Sequence, residues 1–525
     1  MSGPSNQAIK RMISLHGWSG TLVSIFLYAV ILTGTVSVLS DEIARWADPR
    51  PAAVNPFSRP IDDTMLRLRN QVPGDFRGHI EIDHARDGSL RMFFYEARRI
   101  PKRGTVEYGR DYLLDPETHL LISAKQGEAP NQVVNAPYRE LPHFIVDLHA
   151  RLLIPGRLGL YATGLLGVML LVAAITGILI HRHILKDLFV AERPGGRVVS
   201  LRDRHGLASV WGLPFSILLA FTGTFLSFAV SLGLPIVAVA AFGGDIERAF
   251  NAVTQPPKTV DARPAELANI DQVLSQSFAI VGSYPRTIEI EDAGRADARI
   301  TTLHRNGGIN QVRAAMLEFD GVSGALIGER PLVGHKASVG SSTVALMTPL
   351  HYGDFAGLAS KAVWVALGSA LTVSMVSGMQ LWLRRREDDP LWRGCQIAFS
   401  AVAWGVPLSM VGAAYGAFLY TLDGDTHYGT HVGFFLSSLA VVFWALFAKD
   451  AKVLSVQLLK VLSWTMLALP VIRLQTGGIS WGEAILDNIW EVLLMDLVCV
   501  TIPAILLTRT RLQQRAEIAA QNPAE

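Results

Sequence analysis

The chain has 525 residues, of which 50% are hydrophobic and 18% charged, and its formal net charge is +2. So large an apolar share argues against a soluble protein of this length and indicates a membrane protein. The near-neutral charge gives no reason to expect nucleic-acid binding. The two cysteines, Cys395 and Cys499, form neither a disulfide framework nor a C-x-x-C motif, so a cysteine-based metal site is not expected.

Eight apolar runs approach the roughly 20 residues that a membrane-spanning helix needs. In chain order they are residues 14–39, 158–181, 206–232, 358–383, 396–420, 430–448, 453–472 and 488–508. The first run is longer than the core of a signal peptide, and no Ala-x-Ala cleavage site follows it. We therefore expect it to be a retained membrane anchor.

Lysine and arginine residues are distributed unevenly among the connecting segments, and this sets the expected orientation. With the N-terminus in the cytoplasm, segments 182–205, 384–395 and 509–525 face inward and contain six, four and three Lys or Arg residues. The short outward loops 421–429 and 473–487 contain none and one. The two long polar stretches then lie outside the membrane.

The first and third apolar runs share a pattern that marks an internal repeat. His16 precedes the pair Thr33-Gly34 by 17 and 18 residues, and His205 precedes Thr222-Gly223 by the same distances. Ionisable side chains at membrane level are costly and usually mark function. Both histidines are therefore candidates for a functional site near the inner face.

The second and fourth apolar runs share a related pattern. His149 precedes Thr176-Gly177, and His351 precedes Ser377-Gly378, with His-to-Gly distances of 28 and 27 residues. We expect both histidines to open their spans from the outside.

The two long polar stretches also repeat each other. Each has a helix-like segment and then a strand that ends in Ile-Glu-Ile, at 80–82 and 288–290. Each continues as strand, turn and strand, at 113–123 and 317–328, with Asp-Pro or Asp-Gly in the turn. A repeat of this length is not an accident of composition.

The expected fold is a membrane all-α bundle of about eight transmembrane helices with two outer α+β domains and an internal two-fold repeat. Both copies start inside and have two spans, so an axis along the membrane normal should relate them. The expected segments are a first span (1–40), an outer domain (41–147), a second span (148–183), an inner loop (184–204), a third span (205–240), a second outer domain (241–348), a fourth span (349–386), a four-helix membrane extension (396–508) and an inner tail (509–525).

The repeated unit resembles the PepSY-associated transmembrane family of bacterial inner-membrane proteins. The resemblance covers about three quarters of the chain and rests on Arg11, Leu15-His16-Gly17-Trp18, the Thr-Gly pairs, the turn Asp115-Pro116-Glu117-Thr118, Leu148-His149 and Leu350-His351-Tyr352-Gly353. It implies two PepSY-like periplasmic domains. The family includes proteins similar to inner-membrane ferrisiderophore reductases, which implies b-type haem and a ferric siderophore, or another periplasmic ferric chelate, as substrate. The last four spans depart from the four-span family pattern.

The four repeated histidines are the expected haem ligands. A two-fold axis would bring His16 opposite His205 near the cytoplasmic face, and His149 opposite His351 near the periplasmic face. Neutral imidazole is a good axial ligand for haem iron, and two imidazoles on facing helices can hold haem b between them. We therefore expect two haems, which form an electron path across a membrane core roughly 30 Å thick.

Two further histidines could replace an inner ligand. His181 and His183 lie two residues apart, about 200° around one helix, so both cannot bind one iron. Their flanking residues are those of an ordinary positive-inside helix end. Either one could still substitute for His16 or His205.

The electron donor must be a separate molecule. The inward loops are too short for a nucleotide-binding domain, and no G-x-G-x-x-G follows a strand. Quinol and a separate cytoplasmic reductase both stay open as donors. Two other functions also stay open: a non-redox transporter or permease that uses the histidines for protons, and a membrane-anchored PepSY module that binds or inhibits proteins.

The last four spans contain a second group of candidate residues. His427 and His431 are separated by one helical turn, and Glu491 is expected near the same outer face. Histidines and carboxylates gathered at one face suit iron, copper or zinc. The alternatives are a proton relay, or simply a solvated loop and an acidic helix end. Asp496 lies deeper in an apolar run, and the sequence does not name its partner.

Overall fold

The computed structural model describes residues 6–50, 55–85, 88–100, 104–128, 137–180, 197–254, 258–305, 312–386, 388–420 and 424–521. Its helices are α1 (Asn6–Ser37), α2 (Ser40–Ala47), α3 (Asp62–Gln71), α4 (Pro137–Arg151), α5 (Arg157–Ile180), α6 (Arg197–Phe228), α7 (Leu234–Phe242), α8 (Ile246–Thr254), α9 (Ile270–Val281), α10 (Val339–Tyr352), α11 (Gly357–Arg384), α12 (Pro390–Tyr420), α13 (Thr426–Phe447), α14 (Ala451–Gln475), α15 (Trp481–Leu486) and α16 (Trp490–Gln521). Its strands are β1 (His79–His84), β2 (Leu90–Ile100), β3 (Gly104–Leu114), β4 (Leu121–Glu128), β5 (Thr287–Glu291), β6 (Arg299–His304), β7 (Ala315–Asp320) and β8 (Leu326–Glu329).

The chain divides into two compact units. The first, called the membrane unit below, comprises Met1–Pro51, Val134–Ser227 and Ala362–Glu525. The second, called the sheet unit, comprises Ala52–Val133 and Phe228–Lys361. Within the described residues, eight helices are long and apolar enough to cross a membrane, and they are α1, α5, α6, α11, α12, α13, α14 and α16. This agrees with the eight apolar runs of the sequence.

The expected second and fourth spans differ from the observed helices. His149 lies near the end of α4, and α5 begins only at Arg157; His351 lies near the end of α10, and α11 begins only at Gly357. A glycine with positive φ lies in each break between helices. Gly156, just before α5, and Gly353, at the end of α10, both have φ +69°. The expectation that His149 and His351 open their spans is therefore wrong.

The third span differs as well. Helix α6 begins at Arg197, so His205 lies two turns inside the helix rather than at its start. A five-residue π-helical turn, Ala229–Gly233, then joins α6 to α7. Single π-helical turns of this kind interrupt otherwise α-helical segments.

Glycines bring α12 and α13 unusually close together. A Cβ on Gly416 would lie 2.0 Å from the carbonyl oxygen of Gly429, and a Cβ on Gly433 would lie 2.2 Å from that of Gly412. Each helix thus has two glycines four residues apart facing the other. This small-residue spacing lets membrane helices pack backbone against backbone. This close packing against α12 fixes the first turns of α13, where His427 and His431 lie.

An ion pair is buried between α14 and α16. Arg473 donates to Asp496 at 2.9 Å, and each residue is 1% exposed. The indole N–H groups of Trp46 and Trp481 donate to the two oxygens of Asp496 at 2.7 and 2.8 Å. The carboxylate of Asp496 is thus fully paired. Its pairing with Arg473 accounts for an acidic residue in an apolar helix as a structural feature.

The sheet unit contains one continuous antiparallel sheet rather than two separate sheets. Its eight strands lie in the order β4-β3-β2-β1-β5-β6-β7-β8. One hydrophobic core is shared by both halves and includes residues from α3 and α9. The expectation of two outer domains, 41–147 and 241–348, is therefore replaced by a single unit in which the two sheets join at β1 and β5.

The two Ile-Glu-Ile segments form this joint. Ile80 pairs with Ile290, and Glu81 pairs with Glu289, in antiparallel register. The isoleucines of both segments are fully buried in the core. Because successive strand residues point to opposite faces, the two glutamates lie side by side on the other face of the sheet.

Other details of the two halves also match. Asp62 of α3 accepts from the N–H of Ile270 at 2.8 Å, and Asp271 of α9 accepts from the N–H of Ile61 at 2.7 Å. Each helix start is therefore capped by the other helix. The strand–turn–strand predictions at 113–123 and 317–328 agree with the observed β3–β4 and β7–β8 hairpins.

The aspartates of the two hairpin turns make the same hydrogen bonds. Asp115 accepts from the backbone N–H and the hydroxyl of Thr118, and Asp320 accepts from the same groups of Ser323. These hydrogen bonds hold the pKa of both carboxyls below its usual range. The aspartates that the sequence analysis places in the two turns therefore make the hydrogen bonds that stabilise these turns.

Candidate functional site

Two histidines from different helices face each other in the membrane unit. The ring centroids of His16 on α1 and His205 on α6 are 6.3 Å apart, and the ring planes are inclined by 60°. Two imidazoles that bind one metal ion from opposite sides, at about 2 Å each, have centroids roughly 6 Å apart. The two inner histidines selected from the sequence are therefore close enough to share a metal.

Backbone carbonyls orient both rings. His16 Nδ1 lies 3.1 Å from the Ala173 carbonyl oxygen and 3.1 Å from Thr176 Oγ1. His205 Nδ1 lies 2.9 Å from the Ser374 carbonyl oxygen. A carbonyl oxygen only accepts, so each Nδ1 carries the proton and each neutral ring has its lone pair on Nε2. A partner on the other ring nitrogen also raises the basicity of the ligand.

A glycine lies beside each ring, and the one beside His205 makes room for it. Gly378 follows Ser374 by four residues, and a Cβ built on it would lie 2.8 Å from His205 Cε1. Gly177 follows Ala173 by four residues, and a Cβ built there would lie 3.8 Å from His16 Cε1. We call this combination of an accepting carbonyl and a glycine one turn later a histidine seat. The glycines of the pairs Ser377-Gly378 and Thr176-Gly177 belong to these two seats.

A third seat holds His149. Its Nδ1 lies 2.9 Å from the carbonyl oxygen of Val30, and a Cβ on Gly34, four residues later, would lie 2.7 Å from its Cε1. Helix α4 brings this histidine against α1. Three of the four repeated histidines are thus held with Nδ1 protonated and with the lone pair on Nε2.

The fourth repeated histidine belongs to the sheet unit. His351 lies at the end of α10, and its ring centroid is 6.0 Å from that of Tyr352. His149 belongs to the membrane unit, so the pairing of His149 with His351 stays a prediction. His181 and His183, the alternative inner ligands, lie outside the described residues.

The histidines of the C-terminal extension meet a carboxylate that sequence reasoning missed. One ligand atom from each of Glu140, His427 and His431 lies within 4.8 Å of the other two. Glu491 does not belong to this group, which is the only one of its kind among the described residues. Glu140 replaces it because α4 packs against α12 and α13.

A signal for Glu140 was present in the sequence. On a helix, Glu140 lies on the same face as Phe144 and Leu148, which follow it by four and eight residues. All three are buried in the structure. A carboxylate on the apolar face of an amphipathic helix needs a partner, and this pattern indicates a site.

The eight candidate spans and the antiparallel sheet define a multi-pass membrane protein with a separate α+β unit. Comparison with known proteins identifies the family: the PepSY-associated TM region matches residues 13–385, and the chain belongs to this family. The chain is also similar to an uncharacterized protein of Pseudomonas aeruginosa, with 28% identity over 262 residues. That similarity covers 47% of this chain and 64% of the relative's length.

Proposed function

We propose that the protein is a haem-b electron-transfer protein of the bacterial inner membrane that reduces a ferric chelate, such as a ferrisiderophore, in the periplasm. The observation that supports this most directly is the facing pair His16 and His205, with both Nε2 lone pairs available for a metal. Haem, when bound, supplies one-electron chemistry between ferric and ferrous iron. The protein's part is to supply and orient the axial ligands.

The distance and the tautomers of the inner pair support this proposal. The 6.3 Å separation of the ring centroids agrees with two imidazoles on opposite sides of one iron. Gly378 allows close packing of the His205 ring, and the carbonyls of Ala173 and Ser374 keep both rings in the metal-binding tautomer. Side chains held in this way are preorganised, so little ordering is needed when the iron binds.

A second haem near the outer face is part of the proposal. His149 has the same seat as the inner histidines, which supports a ligand role for it. Its proposed partner is His351, which occupies the equivalent position in the second copy of the repeat. Together the two haems would carry electrons from the cytoplasmic side, where quinol or a separate reductase is the donor, to the periplasmic side.

The two-fold repeat and the orientation also belong to the proposal. The repeat is supported by the antiparallel register of the two Ile-Glu-Ile segments and by the reciprocal caps of Asp62 and Asp271. The orientation is supported by the positive charge of segments 182–205 and 384–395, which suits the cytoplasmic side. The sheet unit is then periplasmic.

Optical and EPR spectra of the purified full-length protein test the cofactor. We expect a reversible b-type spectrum, and low-spin signals typical of two imidazole ligands. His16→Ala and His205→Ala should each remove the inner haem, and His149→Ala and His351→Ala the outer haem. His143→Ala is the matched control, because His143 is exposed on the same helix as His149. A colourless, folded wild-type protein would support a transporter or a protein-binding module instead.

Vesicles test the direction of electron transfer. We expect vesicles loaded with reductant to reduce an external ferric chelate when the protein is oriented with its sheet unit outside. The rate should fall at least tenfold in His205→Ala and stay unchanged in His143→Ala. Internal NADPH without a partner enzyme should give no reduction. Equal rates in the wild type and His205→Ala would contradict the proposed path.

A further inference from the structure

A fully buried carboxylate lies against two histidines of a neighbouring helix in the membrane unit. Glu140 on α4 is 1% exposed, and its Oε1 lies 2.8 Å from His427 Nδ1. His431 lies one turn further along α13, and its ring centroid is 4.3 Å from that of His427. The three side chains therefore converge on one small volume.

The second carboxylate oxygen indicates a bound cation. Glu140 Oε2 is buried and has no hydrogen-bond partner among the described residues. Leaving a buried charged oxygen without a partner is strongly unfavourable. The hydrogen bond with His427 alone satisfies only Oε1. A cation held between the carboxylate and both imidazoles would remove the penalty at Oε2 as well.

His431 is oriented for metal binding. Its Nδ1 lies 3.0 Å from the carbonyl oxygen of His427, so Nδ1 donates and the lone pair is on Nε2. The ring of Phe144 packs at right angles to that of His431, with centroids 5.0 Å apart. The ring therefore has a hydrogen bond on one nitrogen and an aromatic neighbour that limits its rotation.

The surroundings keep the site rigid on one side and open on the other. The close glycine contact between Gly416 and Gly429 fixes the start of α13. Asp425 caps this helix by accepting from the N–H of Tyr428 at 2.9 Å. The side chain of His427, in contrast, is 62% exposed. An ion can therefore enter past His427, and a coordination position stays accessible to water.

We propose that Glu140, His427 and His431 bind a divalent transition-metal ion of the zinc or ferrous type. Two imidazoles and one carboxylate are a ligand set for these ions, with a further position for water. Calcium and magnesium are disfavoured because they require mostly oxygen ligands. Haem is excluded, because two histidines on one helix face cannot approach an iron from opposite sides. The site shares no residue with the proposed haem ligands.

Zinc binding to the full-length, tag-free protein in detergent tests the proposal. We expect one zinc ion per chain by elemental analysis, and two imidazole ligands by zinc X-ray absorption. Glu140→Gln and His431→Ala should each weaken zinc binding at least tenfold, since even changes to groups behind the ligands cost about 10- to 100-fold. His143→Ala, an exposed histidine on the same helix as Glu140, should bind zinc like the wild type.

Each of the other outcomes would overturn the site. Absence of stoichiometric zinc in the wild type would leave only a hydrogen bond between Glu140 and His427. Equal affinity in the wild type and His431→Ala would place any bound zinc elsewhere. An unchanged affinity in Glu140→Gln would remove the carboxylate from the ligand set. The haem spectrum and the melting temperature of each variant establish that it is folded.

Discussion

The seat of His205 leads to a prediction about a residue that is not itself a proposed haem ligand. In Gly378→Ala, the new methyl group would lie 2.8 Å from His205 Cε1 and 2.9 Å from its Nδ1. Ordinary contact begins at 3.4 Å, so the ring must move by about 0.6 Å or the two helices must separate. Such a shift stretches the 2.9 Å bond from Nδ1 to the Ser374 carbonyl to the limit of hydrogen bonding.

The expected effect follows from these distances. Loss of one hydrogen bond contributes about 0.5–1.5 kcal/mol, and an extra methyl group in a packed site about 1–3 kcal/mol. If half of this strain disturbs the geometry of the two imidazoles, the affinity for the proposed inner haem falls on the order of tenfold. The altered hydrogen bond should also lower the basicity of the ligand and shift the midpoint potential of that haem.

Haem transfer to apomyoglobin measures the affinity, and a redox titration measures the potential. Gly20→Ala is the matched control, because a Cβ on Gly20 meets no atom within 4 Å. Alanine in a helix is, if anything, favourable over glycine. If Gly378→Ala keeps the haem affinity and the midpoint potential of Gly20→Ala, the seat has no role in ligation.

Two further predictions concern stability. Burial and the neighbouring Asp83 raise the pKa of Glu81 from its usual 4.5 to about 8, so its contribution to stability is complete below pH 4.5 and is lost as the pH rises to 8. Glu81→Gln should therefore melt like the wild type at pH 4.5 but be more stable at pH 8.5, by up to about 4–5 kcal/mol; equal melting curves at pH 8.5 would contradict this. Arg473→Met should destabilise the membrane unit by about 3–5 kcal/mol, because it leaves the buried carboxylate of Asp496 without its cation. The double variant Arg473→Met, Asp496→Asn should recover much of the loss in a thermal melt, and a loss equal to that of Arg473→Met alone would refute the buried-charge explanation.

The sequence predicts what depends on local pattern. Long apolar runs locate the eight spans, and Asp115 and Asp320 locate two hairpin turns, because their side chains bond to backbone groups two or three residues later. The spacing of His16 and His205 selects the inner pair. Each of these signals lies within a short stretch or repeats at a fixed distance.

What the sequence does not predict depends on neighbours that are far apart along the chain. Glu140 and His427 are separated by 287 residues, and their contact requires α4 to pack against α13. Asp496 finds Arg473 only because α14 and α16 are adjacent. The breaks before α5 and α11 are different: the apolar runs 158–181 and 358–383 begin within one residue of these helices, and the error was to extend the spans back to His149 and His351.

The joint between β1 and β5 also has a consequence for biosynthesis. Ile80 pairs with Ile290, so 210 residues must be made after β1 before its partner strand exists. At about 5–20 residues per second this takes roughly 10–40 s. During that time β1 is an unprotected edge strand, which other chains can join. The protein's yield should therefore depend on holding chaperones that cover this edge until the second half of the sheet has been synthesised.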